Sequence, residues 1–234
     1  MINYMEKDIK TYRDIELKNY VFGNILLILV MTGLIHRIIL AFEEEYTWKG
    51  LSEFFSSTLI SATIYIFVFI LDSVIPSKVK FKILWPVKGL PGNRIFSEIK
   101  RRNCDERFTS QAALAAYADT YRLIESETGK KQRRLIENSV WYKLYLKNES
   151  HGQIYSSQRD FLLCRDMAVM TIWISIGYLL VCRYLEIDIS IKLVSILITE
   201  FFLVWLSARV KGKRFVYSVI ARDLAVFKNS TPNK

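Results

Sequence analysis

The chain has 234 residues, 51% of them hydrophobic, and its 33 Lys and Arg against 23 Asp and Glu give a net charge of +10. The apolar residues are bunched into long runs instead of being spread at helix or strand period, which argues against an ordinary soluble domain and for membrane spans. The basic excess has two readings, attraction to anionic lipid headgroups on the inner face of a membrane or a surface for nucleic acid.

From the N-terminus, Met1 to Asn19 mixes Glu6, Asp8, Asp14 and Glu16 with Lys7, Lys10, Arg13 and Lys18. Tyr4, Ile9, Tyr12 and Ile15 fall near a helical period, so the segment reads as a short amphipathic helix on the inner surface or as a solvated tail. It is too polar for a signal peptide, and the apolar run after it lacks a small-residue cleavage site, so Tyr20 to Phe42 is expected to be a permanent span. Glu43 to Glu45, with Tyr46 and Trp48, form a short outer connection. The chain returns through Leu51 to Pro76, where about 20 apolar residues match a hydrocarbon core of about 30 Å. Lys78, Lys80 and Lys82 then mark the cytoplasmic side.

Ser77 to Asp166 carries 18 Lys and Arg against 10 Asp and Glu and is the only part long enough to fold outside the bilayer. Pro86, Gly89, Pro91 and Gly92 predict consecutive turns. A helix capped by Thr109 or Ser110 is expected to reach Glu127, with Leu114, Tyr117, Tyr121 and Ile124 on one face and a stop at Gly129. A second is expected over Lys130 to Lys147, where Asn138, Trp141, Tyr142, Tyr145 and Leu146 share a face. A third, Tyr155 to Asp166, should run on into a span from Met167 to Leu185. The fourth span, Ile191 to Ala208, is followed at once by Arg209, Lys211, Lys213 and Arg214. The expected class is therefore an all-α membrane protein: four transmembrane helices in two hairpins, a helical cytoplasmic insert between them, and a basic tail over residues 209–234. The distribution of Lys and Arg puts both termini on the cytoplasmic side.

Ionisable residues within a span cost about 2.5 to 3.5 kcal/mol near a helix centre and need a partner, a cavity or an escape route. Glu200 lies too deep in the fourth span to reach either surface; it reads as a pore-lining carboxylate, a proton-linked switch or a subunit contact, or as a protonated group bonded to Thr171, Ser175 or Tyr178. Arg37 and Glu53 are expected to pair at the outer end of the first hairpin. Asp72 is placed where Lys78 or the C-terminal basic cluster can neutralise it, and Asn24 reads as a polar contact between helices.

The chain lacks a Gly-rich phosphate loop, an HExxH pair and a GxSxG elbow. Its two histidines, His36 and His151, fall on opposite sides of the expected membrane, and Cys104, Cys164 and Cys182 form no CxxC pair, so neither a metal site nor a cofactor is expected. Asp105, Glu106 and Asp119 are interleaved with Arg101, Arg102 and Arg107 and read as salt-bridge partners. Arg101, Arg102, Lys130, Lys131, Arg133 and Arg134 could contact phosphates, with stacking on Trp141 or Tyr145, but those rings share a face with apolar neighbours, as core residues do.

Four blocks, PGNRIF (Pro91 to Phe96, including Gly92 and Arg94), CDERF (Cys104 to Phe108), ENSVWYKLY (Glu137 to Tyr145) and FLLCRD (Phe161 to Asp166, including Arg165), resemble the signature blocks of a family of small bacterial multi-pass inner-membrane proteins. The resemblance covers roughly Pro86 to Leu180 and implies a cytoplasmic insert between two transmembrane hairpins, with no catalytic role to carry over. The layout is also similar to that of membrane effectors of anti-phage systems, retron or cyclic-nucleotide-activated. It implies a homo-oligomeric effector without enzymatic activity that permeabilises or depolarises the membrane when a protein or ribonucleoprotein regulator from the same locus releases its cytoplasmic domain. The alternative is a non-enzymatic anchor that recruits a soluble partner, perhaps one bearing nucleic acid.

Overall fold

The computed structural model describes residues 2–33, 35–36, 39–40, 47–87, 89–102 and 105–230, the side chains of 2–13, 47, 49, 50, 53, 57, 60, 61 and 228–230 excepted. Every regular element among them is helical, with no strand. The chain divides into two compact units, one of Met1–Ile83 and Leu163–Ser207, the other of Leu84–Leu162 and Ala208–Lys234.

In the first unit, α1 (Ile2–Met31) is one unbroken helix across the expected boundary at Asn19. It buries Leu17, Val21, Ile25 and Ile28, a stripe at helical spacing. The helix stops at Met31, where the Gly33 amide bonds to the Val30 carbonyl and Gly33 takes a φ of 72°, a left-handed conformation open to glycine at no steric cost. The apolar part of α1, Tyr20 to Met31, is thus about 18 Å long, short of a bilayer core. The rest of the expected span, to Phe42, lies largely outside the described residues.

The next two helices are α2 (Thr47–Val74) and α3 (Ser77–Leu84), and the Ala62–Val74 part of α2 meets α3 at 97°. Pro76 causes the break, because its ring disfavours the helical conformation at Ile75, and its carbonyl then accepts from Val79 and starts α3. Val68 of α2 joins the stripe of α1 in a core completed by Met170, Ile174, Tyr178, Cys182, Leu193 and Leu197.

The second unit begins at Leu84 and Trp85. Pro91–Arg94 forms a 3-10 turn and leads into α4 (Ile95–Arg101). The single helix expected from Ser110 to Glu127 is two: α5 (Ser110–Ala116), capped by the Thr109 hydroxyl, and α6 (Ala118–Ser126). They part at Tyr117, whose backbone leaves the helical region at φ −113°, ψ 31° while its ring is buried edge-on against Phe96. Gly129 is an extended cap of the next helix, α7 (Lys130–Asn148), close to its expected bounds.

Two long helices carry residues of both units. In α8 (Gly152–Tyr184) the expected third helix and third span are continuous. The last helix, α9 (Ile191–Ser230), runs through the segment expected to be a basic tail, which is helical and buries Phe215, Val216, Val219, Ile220 and Leu224 within the second unit. Gly212 permits this packing: a Cβ there would sit 2.7 Å from Trp85 Cη2 and 3.0 Å from Phe161 Cε2. Among the described residues, α8 and the Ile191–Phe227 part of α9 can by length and composition cross a membrane, and Ala62–Val74 of α2 and α3 pass the same test when taken together.

Candidate functional site

Glu200 follows Ile191 by nine residues, about 14 Å along α9, so its carboxylate stands near the middle of the apolar run. Its hydrogen-bond donor comes from α1: Asn24 Nδ2 donates to Glu200 Oε1 at 2.9 Å. The expected partners on α8 are otherwise engaged. Thr171 donates to the Met167 carbonyl, Ser175 to the Thr171 carbonyl, and the Tyr178 hydroxyl accepts from the Ser190 amide. Because the Thr171 proton goes to Met167, Tyr20 is the donor in its 2.6 Å bond with Thr171. Tyr20 also faces Glu200 and Asn24.

Glu200 and Asn24 edge an open groove of about 510 Å3, lined among others by Gly23, Leu27, Ser195, Thr199 and Leu203. Ser195 and Thr199 spend their protons on the carbonyls of Ile191 and Ser195. The buried Oδ1 of Asn24 accepts no hydrogen bond among the described residues. The groove's exposed surface is mostly apolar, with Leu27, Ile196 and Leu203 in its lining, and its polar groups include the Glu200 carboxylate and the Ser195 and Thr199 hydroxyls, whose protons are already given.

A second constellation surrounds the break between α2 and α3. Lys80 Nζ lies 2.6 Å from Asp72 Oδ1 and 3.4 Å from Asp166 Oδ1, Arg165 lies 2.7 Å from Asp166, and the Arg165 guanidinium stands 5.1 Å from the centre of the Phe81 ring. Lys80, Arg165 and Asp166 are buried, Asp166 to 1% exposure. Two cations and one anion are thereby buried together, with the half-buried Asp72 as the second anion, where burial of any one alone would cost several kcal/mol per ion. Asp72 is met by Lys80, not by Lys78 or the C-terminal cluster. Nothing in the local pattern separates Lys80 from its exposed neighbours.

The remaining singled-out residues fall mainly in the second unit. Gly92 packs on α7 so closely that a Cβ would meet the Trp141 ring at 3.1 Å and Asn138 Oδ1 at 3.2 Å. Pro91 is buried, and Arg94 pairs with Glu98 at 3.1 Å. Glu137 is 2% exposed and accepts from the Ser97 amide at 3.1 Å and from the Ser97 hydroxyl. It thereby satisfies a donor left open in the first turn of α4. Burial raises its carboxyl above the usual range, against the bonds from Ser97. The PGNRIF and ENSVWYKLY blocks are thus two halves of one packing unit.

Trp141 donates to the Val216 carbonyl at 3.2 Å and stacks on Tyr145, whose hydroxyl donates to Gln158. Tyr142 is exposed, as are Arg101, Arg102 and Arg134, while Arg133 is held by the Glu127 carbonyl. Arg107 also donates to Ser218, and its hydrogen bond to Asp105 at 2.6 Å holds the Asp105 carboxyl below its usual range despite partial burial. Asp223 is buried under Tyr117 at 2.8 Å, Lys147 at 3.0 Å and Asn148 at 3.3 Å, a hub in the segment taken from sequence for a tail.

Arg37 and the Glu53 side chain lie outside the described residues, so their expected pairing does too. Among the described residues no group of three or more His, Cys, Asp or Glu is placed to hold a metal ion. No protein-family model, curated protein or solved structure matches the chain.

Proposed function

We propose that this is a bacterial inner-membrane protein that assembles with copies of itself and permeabilises or depolarises the membrane when its second unit is triggered, as in anti-phage defence. In this reading the chain makes four passes, through α1 with the residues up to Phe42, α2, α8 and α9, with both termini cytoplasmic. It works without enzymatic chemistry, among anionic lipids, under a protein or ribonucleoprotein regulator. The observation that carries the reading is Glu200, a carboxylate near the middle of the apolar run of α9 that accepts from one neutral donor and borders an open, largely apolar groove. A carboxylate at that depth favours cations over anions. Assembly around that groove would turn it from a lipid-facing cleft into a path, through a shift between closed and open packings.

The test is a potential-sensitive dye in cells expressing the chain with the neighbouring genes of its locus under an inducing stress. Wild type is expected to collapse the potential and Glu200→Gln to weaken the collapse. No collapse in any condition would overturn the reading.

One observation favours a second reading, a non-enzymatic anchor that recruits a soluble partner: Asn24 already gives Glu200 a partner within the chain. It predicts that Glu200→Gln leaves partner capture by the full chain unchanged.

A further inference from the structure

Away from the groove, the second unit holds a polar pocket of about 260 Å3 lined by Gln153, Ser156, Ser157 and Asp160 of α8 and by Lys211 and Arg214 of α9. We propose that this pocket binds a phosphate group, either the headgroup phosphate of an anionic phospholipid or that of a small soluble phosphate compound.

The argument begins with what the lining side chains are already doing. Asp160 is the one anion present, and it is spoken for by Lys211 at 2.9 Å and Arg159 at 3.0 Å. Although burial works the other way, those two bonds hold its carboxyl below the usual range, so it stays charged and fixes Lys211 in place. The Arg214 guanidinium forms no hydrogen bond or ion pair among the described residues; its field reaches Asp105, whose own hydrogen bonds come from Arg107. Gln153, Ser156 and Ser157 likewise give their side-chain protons to no acceptor among the described residues. The pocket therefore gathers a planar guanidinium, a positioned ammonium, two hydroxyls and a primary amide, all able to donate to the oxygens of one tetrahedral anion. Its volume is below the roughly 300–1,000 Å3 of sites that enclose larger ligands, and suits a phosphate with a small substituent.

The lipid source is favoured by position along α9. Lys211 comes three residues, about 5 Å, after Ala208, where the apolar run gives way to basic residues, so a headgroup would lie within reach of its side chain. That choice of source rests on the reading of α9 as a span. The phosphate chemistry does not, nor does it depend on permeabilisation.

The test uses the full chain purified in an uncharged, phosphate-free detergent, with phosphatidylglycerol, diacylglycerol of the same chains and inorganic phosphate as probes, read by native mass spectrometry and by calorimetry. Phosphatidylglycerol is expected to bind and diacylglycerol not. Arg214→Gln is expected to weaken binding about tenfold, and Ser157→Ala, which leaves the charge unchanged, about fivefold. Lys213→Gln removes the same charge from the same helix outside the pocket and should stay within about twofold. If inorganic phosphate binds with the same sensitivity to Arg214→Gln and phosphatidylglycerol does not bind, the source is a soluble phosphate compound. Equal losses from Arg214→Gln and Lys213→Gln, or no binding of either phosphate probe by wild type, overturn the proposal, and neither result bears on the dye assay.

Discussion

Glu137 and Glu200 are both helix carboxylates with partners far away in sequence, yet their surroundings differ. Glu137 is closed in and meets two donors from Ser97 at the start of α4. Glu200 is half-buried, takes one proton from a neutral amide whose own oxygen is left over, and borders an open groove. A carboxylate whose acceptor sites are filled has little left to offer but stability. One with lone pairs to spare beside open space can still take up a cation or a second chain.

The strongest way to break this contrast is to remove a partner from a saturated cluster. Lys80→Ala leaves Asp72 and Asp166 facing one cation and is expected to cost about 3–5 kcal/mol, read as a lowered unfolding midpoint of the solubilised full chain. Glu137→Ala, which abandons the Ser97 amide and leaves a cavity, is expected to cost about 3 kcal/mol by the same measurement. Glu200→Gln keeps an oxygen for Asn24 and is expected to cost under about 1 kcal/mol while weakening the potential collapse. A loss as large as that of Lys80→Ala would make Glu200 structural and erase the distinction.

The gentlest probe is pH. The Glu137 carboxyl is raised in the folded protein, so its stability contribution is full below the unfolded value of about 4.3 and is lost as pH rises toward the folded one. Wild type should accordingly gain on Glu137→Gln as pH falls from 7 toward about 4. Asp105 is depressed, so its contribution holds above about 3.9 and fades only as pH falls further, and wild type should lose ground to Asp105→Asn there. A pH-independent difference for Glu137→Gln would mean that burial does not penalise its charge.

Local features were legible in the sequence and distant ones were not. Thr109 reads as a cap and is one, because a cap is a property of neighbouring residues. The face expected over 130–147 is only partly right: Asn138, Trp141 and Tyr145 pack inward, whereas Tyr142 and Leu146 are exposed and Glu137 and Asn148 are the buried residues of the helix. Asn24 and Glu200 are 176 residues apart, and Lys80 and Asp166 are 86 apart, so no local pattern names either partner. The misread tail had a signal: Phe215, Val216, Val219, Ile220 and Leu224 repeat at helical spacing, but the basic cluster before them reads as a membrane exit and hides it. The break at Tyr117 had none, since it follows from how its ring seats against Phe96.

The network at the bend also bears on how the chain is made. Asp72 and Lys80 leave the ribosome together, whereas Asp166 follows Lys80 by 86 residues, roughly 4–17 s later at the usual rate of synthesis. Each half is neutral by itself, Asp72 with Lys80 and Arg165 with Asp166. The earlier pair is therefore neutralised without waiting bare for the later one, and the two halves lock only when α8 arrives.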